Sequence, residues 1–339
     1  MNENNYEIAK KNIKNAKKFR ILSIDGGGVK GFFTLKAIKG LMDEYQIDLY
    51  DYFDMIVGTS TGSIIALLIL LKLDIEKYYK EYEQIPNRIF SKRLDILSQT
   101  RKPFFPQFDS EELKKSLSEE LGDLNFDDFE KKVNKFFVFC ASNVTNGKPV
   151  IFASKNFSSI NKQNRKELVR NAIYASCAAP FYFEPIKSSF AEDYFADGGI
   201  WSNNPAMVGI ILALGDLDIK IEDIEVLSFG QTFVENLEFE IKKMINFDSF
   251  KNNQFSSLFS SSLLVNQNFD NFCASILLKE RYFRYSPEQK IPNTKVSYID
   301  QNFIDYSKLY WMKNKESLVD FIRLSKNTKY YKGIEKMYN

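Results

Sequence analysis

Residues 53–73 read Phe-Asp-Met-Ile-Val-Gly-Thr-Ser-Thr-Gly-Ser-Ile-Ile-Ala-Leu-Leu-Ile-Leu-Leu-Lys-Leu, and this stretch decides the fold class. Its beginning, residues 53–57, predicts a buried strand, and its end, residues 61–73, predicts an almost wholly apolar helix that must be buried. Between them the chain matches the pattern G-x-S-x-G, in which a serine lies on a tight turn with its hydroxyl exposed. Because Gly58 and Gly62 permit that turn, Ser60 is the candidate nucleophile.

The second decisive feature is that the 339-residue chain contains no histidine. A Ser-His-Asp triad and a histidine-ligated metal site are therefore impossible, and a carboxylate is the obvious base for Ser60. Asp197 is the best candidate, because it ends a predicted strand and precedes Gly198 and Gly199. In isolation it would be interpreted as a turn aspartate bonding its own backbone. An aspartate with a pKa of about 4 is a weak base for serine, so we expect desolvation to raise that pKa.

A glycine cluster, Gly-Gly-Gly-Val-Lys-Gly at residues 26–31, follows an apolar strand and opens a helix over residues 34–46. It matches the dinucleotide pattern G-x-G-x-x-G, but no second strand ending in an acidic residue follows about twenty positions on, as that fold requires. A phosphate-binding P-loop also fails, because Lys30 lies between Val29 and Gly31. A tight strand-to-helix turn and an anion-binding nest of backbone N–H groups remain as interpretations.

If the nest binds an oxyanion, the candidate donors are the backbone N–H groups of Gly26, Gly27 and Gly28. Thr61 is a fourth candidate, because its N–H lies at the start of the helix that follows Ser60. The chain carries no EF-hand loop or other clear ligand cluster, so neither a metal nor a cofactor is expected.

The rest of the chain alternates strands and helices without a repeat or a linker, which favours a single α/β domain over residues 1–339. Strands are predicted at 21–25, 136–142, 150–153, 194–196, 224–229 and 282–285, and helices at 110–121, 166–179 and from Pro205 onward. Asp109 and Glu112 are expected to form a capping box. Residues 231–339 are expected to be more helical and to pack on the core.

Composition limits the function classes. Hydrophobic residues make up 44% of the chain, charged residues 27%, and the net charge of +2 excludes a strongly basic binder of nucleic acid polymers. The three cysteines lack paired spacing, which indicates a reducing compartment. Residues 1–20 are polar, without a signal peptide, and the longest apolar run, 64–71, is too short to span a bilayer. We expect a cytoplasmic protein, with a basic arm at residues 10–20 that is either solvated or in contact with anionic lipid or nucleic acid.

Several motifs in order resemble the patatin-like phospholipases. They are D-G-G-G-V-K-G at 25–31, G-T-S-T-G at 58–62, A-S-C-A-A-P at 175–180, D-G-G-I-W-S-N-N-P at 197–205 and V-L-S-F-G at 226–230. The resemblance covers residues 20–230. It implies a three-layer α/β fold in which a mostly parallel sheet carries helices on both faces and Ser60 lies on a nucleophile elbow.

The resemblance also implies a Ser-Asp dyad, with Ser60 as nucleophile, Asp197 as base and the glycine loop as oxyanion hole. Gly58, Gly62, Gly198 and Gly199 are expected to support the backbone around these groups. Lys30 departs from the family pattern, which usually has arginine there, so we expect the loop geometry or its headgroup contact to differ while the backbone donors are unaffected.

The function implied is a lipid acyl hydrolase that cleaves phospholipids during peripheral contact with a membrane. A general carboxylesterase or thioesterase and a catalytically silent lipid- or nucleotide-binding member are the alternatives. Short enzymes of this kind also resemble bacterial antiviral effectors that cyclic oligonucleotides activate. A cyclic oligonucleotide activator, self-association and a switch region after Gly230 are therefore further hypotheses.

Overall fold

The computed structural model describes residues 18–82, 110–231, 254–287 and 301–326. Within these residues, eight strands form one sheet in the order β5-β6-β3-β2-β1-β7-β8, with β4 pairing β3. The strands are β1 (Phe19–Ile24), β2 (Met55–Thr59), β3 (Phe136–Asn143), β4 (Lys148–Ala153), β5 (Ile186–Lys187), β6 (Tyr194–Asp197), β7 (Ile224–Phe229) and β8 (Tyr282–Tyr285). The five central strands from β3 to β8 are parallel, whereas β4, β5 and β6 join by antiparallel pairing.

The described helices surround this sheet. They are α1 (Gly31–Tyr45), α2 (Leu49–Tyr52), α3 (Thr61–Leu70), α4 (Ile75–Tyr82), α5 (Glu111–Leu121), α6 (Phe126–Val133), α7 (Val169–Cys177), α8 (Gly199–Ser202), α9 (Ala206–Gly215), α10 (Gln254–Leu278) and α11 (Gln301–Lys326). The core on one face is built from α1, α3, α5, α7 and α11, and the core on the other from α9 and α10. This arrangement confirms the predicted α/β fold, a mostly parallel sheet between two helical layers.

Most predicted elements are present with small shifts of their ends. The helix over 166–179 is shorter, at α7, and Pro205 is the N-cap of α9 rather than its first helical residue. Asp109 of the predicted capping box lies outside the described residues, and Ser110 is the N-cap of α5. Helix α3 is almost entirely buried, as its lack of a polar face requires.

Two further expectations from the sequence concern the periphery. Most of the basic arm, residues 10–17, lies outside the described residues, but Arg20 is buried and pairs with Glu225 at 3.6 Å. Arg20 therefore belongs to β1, a central strand of the sheet, and not to a lipid-binding arm. None of the helices in the described ranges is long and apolar enough to cross a membrane.

The region after residue 230 is joined to the sheet by a strand. Strand β8 pairs in parallel with β7, with Val226 opposite Tyr282. Helix α10 packs on α8 and α9, and α11 packs on α1. Both helices consequently lie against the elements that carry the predicted motifs.

Candidate active site

The turn between β2 and α3 has the conformation that a nucleophile elbow requires. Ser60 follows the last residue of β2 and has φ 54° and ψ −129°. This left-handed region is strained for a residue with a side chain and recurs at functional sites. Close packing of the turn on β1 stabilises the strained conformation of Ser60. A Cβ atom on Gly62 would lie 2.1 Å from the carbonyl oxygen of Ile24. The elbow therefore tolerates only glycine at that position.

We predict that Gly62→Ala destabilises the protein by at least about 2 kcal/mol, because the clash is with rigid backbone and must be relieved by moving β1 or α3. Gly215→Ala is the matched control, because a Cβ there has open space. In a helix that control should be neutral or stabilising by about 0.5–1 kcal/mol. Urea unfolding of the two variants measures the difference. Equal stability of Gly62→Ala and the parent protein would contradict the proposed packing.

Sheet register brings Asp197 to the elbow. Strand β3 has Thr59 of β2 opposite Cys140 and Asp197 of β6 opposite Ala141, the next residue. The Asp197 carboxylate accepts a hydrogen bond from the Ser60 side chain and one from the Gly199 N–H at 2.6 Å. The structure thus joins the two residues that the sequence proposes as nucleophile and base.

Burial changes the acidity of Asp197 in the expected direction. The side chain is 3% exposed, and desolvation raises its pKa from 3.8 to about 7. The hydrogen bonds from Ser60 and Gly199 oppose this rise and do not cancel it. A carboxylate with a pKa near neutrality accepts a proton more readily than an ordinary aspartate does.

Gly198 explains how the Asp197 segment approaches β3 so closely. A Cβ atom on Gly198 would lie 2.3 Å from the carbonyl oxygen of Cys140. The Ser142 hydroxyl donates to the backbone carbonyl of Asp197 at 2.7 Å and fixes the same junction. The close approach of the Asp197 segment to β3 therefore requires glycine at position 198.

The elbow has a polar support that the sequence did not single out. Ser176 of α7 accepts a hydrogen bond from the Ser60 backbone N–H at 3.0 Å, and its hydroxyl lies 2.6 Å from the Cys140 carbonyl as a donor. The hydroxyl of Ser63 lies 2.8 Å away. Ser176 belongs to the segment A-S-C-A-A-P, so only the motif resemblance indicated it.

The hydrogen bonds of the glycine loop bear on which of its N–H groups can meet an oxyanion. The Gly26 N–H donates to the Asn203 carbonyl at 3.0 Å, so it is not available to an oxyanion and the prediction for Gly26 is corrected. The Thr61 hydroxyl donates to the Gly28 carbonyl at 2.9 Å, which ties the loop to the start of α3. Gly27, Gly28 and the Thr61 backbone thus lie together beside Ser60 and remain the predicted donors.

Two side chains are packed at the glycine loop, whereas a simple surface turn would leave them exposed. Lys30 is buried at the N-cap of α1 rather than exposed on the loop. Gln231 packs against Gly27 so closely that a Cβ on Gly27 would lie 2.7 Å from its side chain. Gln231, which follows β7 and Gly230, therefore forms one wall of the loop.

Asp25 anchors the start of the loop through contacts that the sequence did not predict. Its carboxylate is fully buried and pairs with Arg284 of β8 at 2.5 Å. Burial raises the pKa of Asp25, and the Arg284 guanidinium acts in the opposite direction. Arg284 also donates to the Ser228 hydroxyl at 2.6 Å. In the part of the chain that the structure describes, no cluster of acidic and cysteine side chains is arranged to bind a metal ion.

Comparison with known proteins agrees with this geometry. The family model for patatin-like phospholipases matches residues 22–210, more than half of the chain. A cGAMP-activated phospholipase from Vibrio cholerae serotype O1 is 32% identical over 238 residues, which are 62% of this chain and 63% of that protein. A cGAMP-activated phospholipase from Escherichia coli strain TW11681 is 28% identical over 225 residues, covering 63% and 62%.

A third relative, a cUMP-AMP-activated phospholipase from Escherichia coli, is 29% identical over 222 residues, covering 62% of this chain and 64% of that protein. The match thus spans a little less than two thirds of the length of these curated relatives. The matched region contains the elbow, the glycine loop and the segment around Asp197. The chain therefore belongs to the patatin-like phospholipase family.

Proposed function

We propose that this protein hydrolyses acyl esters of membrane phospholipids with Ser60 as nucleophile and Asp197 as general base. The observation that carries the proposal is the buried hydrogen bond between the two side chains at a strained elbow. Family membership supports the same chemistry. The chain has no histidine, and we propose that the buried Asp197 carboxylate beside Ser60 accepts the proton instead.

In the first half-reaction the Ser60 Oγ attacks the carbonyl carbon of the ester, and its proton passes to Asp197. The negative charge that develops on the carbonyl oxygen is stabilised by the N–H groups of Gly27, Gly28 and Thr61. The ester C–O bond then breaks, and the leaving alcohol takes the proton from Asp197. The products of this step are an acyl-Ser60 ester and a lysophospholipid.

The second half-reaction reverses these roles. Water attacks the acyl-Ser60 carbonyl while Asp197 accepts one of its protons. The C–O bond to Ser60 breaks, the proton returns to the Ser60 oxygen, and the fatty acid leaves. The raised pKa of Asp197 suits both directions of proton transfer, because neither protonation state is strongly disfavoured near neutral pH.

Membrane lipid is the proposed substrate because relatives over the matched region are phospholipases. We propose a cytoplasmic enzyme that meets the bilayer peripherally. A general carboxylesterase or thioesterase would share the same dyad, so only the choice of substrate distinguishes it.

We also propose that a cyclic oligonucleotide controls the enzyme, with a change of self-association. Three relatives bear names that include activation by cGAMP or cUMP-AMP, which supports a ligand of this class. Such a ligand acts only if it binds the active conformation more tightly than the resting one. A change from 1% to 99% active protein requires a preference of about 10⁴-fold.

One assay tests substrate and control together. Fatty-acid release is measured from phospholipid vesicles and from a soluble short-chain ester, with and without a panel of cyclic di- and trinucleotides. We expect vesicle hydrolysis to rise at least about tenfold with one nucleotide, since a population shift of about 1.4 kcal/mol suffices for that change. Ester turnover without vesicle turnover under every condition would favour the general esterase. Equal vesicle turnover with and without every nucleotide of the panel would contradict the proposed activation by a nucleotide, but not the proposed hydrolysis of phospholipids.

A further inference from the structure

Helix α10 lies beyond residues 22–210, the part matched by the family model, yet it contacts the candidate active site directly. Gln267 is the residue through which this contact is made. It lies on the inner face of α10 and is 1% exposed. A buried amide requires partners for both its donor and its acceptor, so its hydrogen bonds indicate what it holds in place.

Gln267 bonds to two catalytic segments at once. Its Nε2 donates to the Asp25 carboxylate, which immediately precedes the glycine loop. Its Oε1 accepts from the Nδ2 of Asn203 at 3.2 Å. Asn203 lies in the segment that starts at Asp197, so one side chain joins the oxyanion loop to the segment of the proposed base.

Asn203 is itself the link between those segments. Its carbonyl accepts from the Gly26 N–H at 3.0 Å, and its Nδ2 lies 3.3 Å from the Gly26 carbonyl as a donor. The neighbour of Gln267 fixes the backbone at the same place: the Asn266 Oδ1 accepts from the Asn203 N–H at 3.0 Å, and its Nδ2 donates to the Trp201 carbonyl at 2.6 Å. Two consecutive side chains of α10 therefore fix one residue of the active-site segment from both sides.

We propose that Gln267 is a positioning residue that holds the glycine loop in register with Ser60 and Asp197. Catalysis depends on the placement of N–H groups at the oxyanion, and a displacement of 1 Å costs about 10²-fold in rate. The inference rests on the proposed hydrolase function. It assigns to a helix outside the family match a part of the geometry on which turnover depends.

The test uses Gln267→Met, which keeps the length of the side chain and removes the hydrogen bonds of its amide to Asp25 and Asn203. Asp25 retains Arg284, and Asn203 retains Gly26, so the protein is expected to fold. Asn268→Met is the matched control, because Asn268 is the exposed neighbour on the same helix. Hydrolysis of a soluble ester is measured with active-site titration by a fluorophosphonate, which counts competent Ser60 residues.

For Gln267→Met we expect every site to be titrated, with kcat per titrated site lower by about 10- to 100-fold and KM little changed. A purely structural role would instead lower the titrated fraction and leave kcat per titrated site unchanged, and that result would overturn the proposal. An unchanged kcat, or an equal loss in Asn268→Met, would overturn it as well. If Gln267→Met does not fold, Asn266→Ala gives the same comparison, with a smaller loss expected.

The parent enzyme separates this inference from the proposed function. If the parent protein hydrolyses the ester and Gln267→Met has the same kcat, the positioning role is contradicted and the hydrolase function is not. A parent with no turnover of any ester contradicts the hydrolase function, and the positioning role with it.

Discussion

Ser60→Ala and Asp197→Asn should each lower the turnover of a soluble ester by at least about 10³-fold, because a nucleophile and its base act as a unit. Without the Ser60 hydroxyl no acyl-enzyme forms, and without the Asp197 carboxylate the serine proton has no acceptor. The buried hydrogen bond between them is the structural basis of this expectation. Steady-state kinetics with a chromogenic short-chain ester measures the loss.

Two further measurements sharpen this prediction. A fluorophosphonate probe should label Ser60 in the parent protein and no serine in Ser60→Ala. Ser176→Ala tests the alternative that the neighbouring buried serine is the nucleophile, and this variant should still be labelled at Ser60. Retention of more than a few per cent of the activity in Asp197→Asn would show that another group is the base.

A control must show that Asp197→Asn loses activity without unfolding. The pH dependence of its melting temperature provides this control, because the raised pKa of Asp197 predicts the direction of the change. Burial raises the pKa of Asp197 from 3.8 to about 7, so the folded protein binds this proton more tightly than the unfolded chain. The parent protein therefore loses stability through this group as the pH rises from about 4 to 7. Asparagine stays neutral, so the variant's advantage in melting temperature should be largest above pH 7 and should shrink toward pH 4.

Much of the fold was predicted from short stretches of sequence, because the hydrophobic pattern and the turn residues within such a stretch determine whether it forms a strand, a helix or a turn. The apolar run before Ser60 is short, which favours a buried strand, and the longer apolar helix α3 after it must be covered on all sides because it has no polar face. The strands predicted at 136–142 and 150–153 are joined by a turn that contains Gly147, whose φ of 68° is a conformation that favours glycine. The ends of the elements were predicted less well. Pro205 was predicted as the first residue of a helix and is its N-cap, because the sequence preferences of neighbouring positions at a helix start differ little.

The residues that complete the site could not be predicted, because they act over long distances in the chain. Arg284 and Gln267 both bind Asp25, from positions 259 and 242 residues away. Neither has a local pattern that marks it, since a strand arginine and a helix glutamine are ordinary surface residues by composition. The occupied Gly26 N–H is a similar case, because only the folded position of Asn203 provides its acceptor.

The pH dependence of turnover should report the same carboxylate. Asp197 must be ionised to accept the Ser60 proton, and its pKa of about 7 places half of the free enzyme in the inactive form at neutral pH. Below that value kcat/KM on a soluble ester should fall about tenfold per pH unit, to about 100-fold less at pH 5 than at pH 8. Above pH 8 this group should cause no further change.

Asp54, which is buried, and Asp270, which is partly buried, are two further carboxyls that could produce an acidic limb, and their variants test this alternative. Burial raises the pKa of Asp54 to about 6 and that of Asp270 to about 7. Asp54 precedes β2 at the end opposite Ser60, and Asp270 lies on α10, so neither is expected to receive the serine proton. Asp54→Asn and Asp270→Asn should therefore keep the limb and its midpoint. A midpoint that moves in Asp270→Asn, or a parent limb centred near pH 4, would mean that the protonation of Asp197 does not limit the reaction.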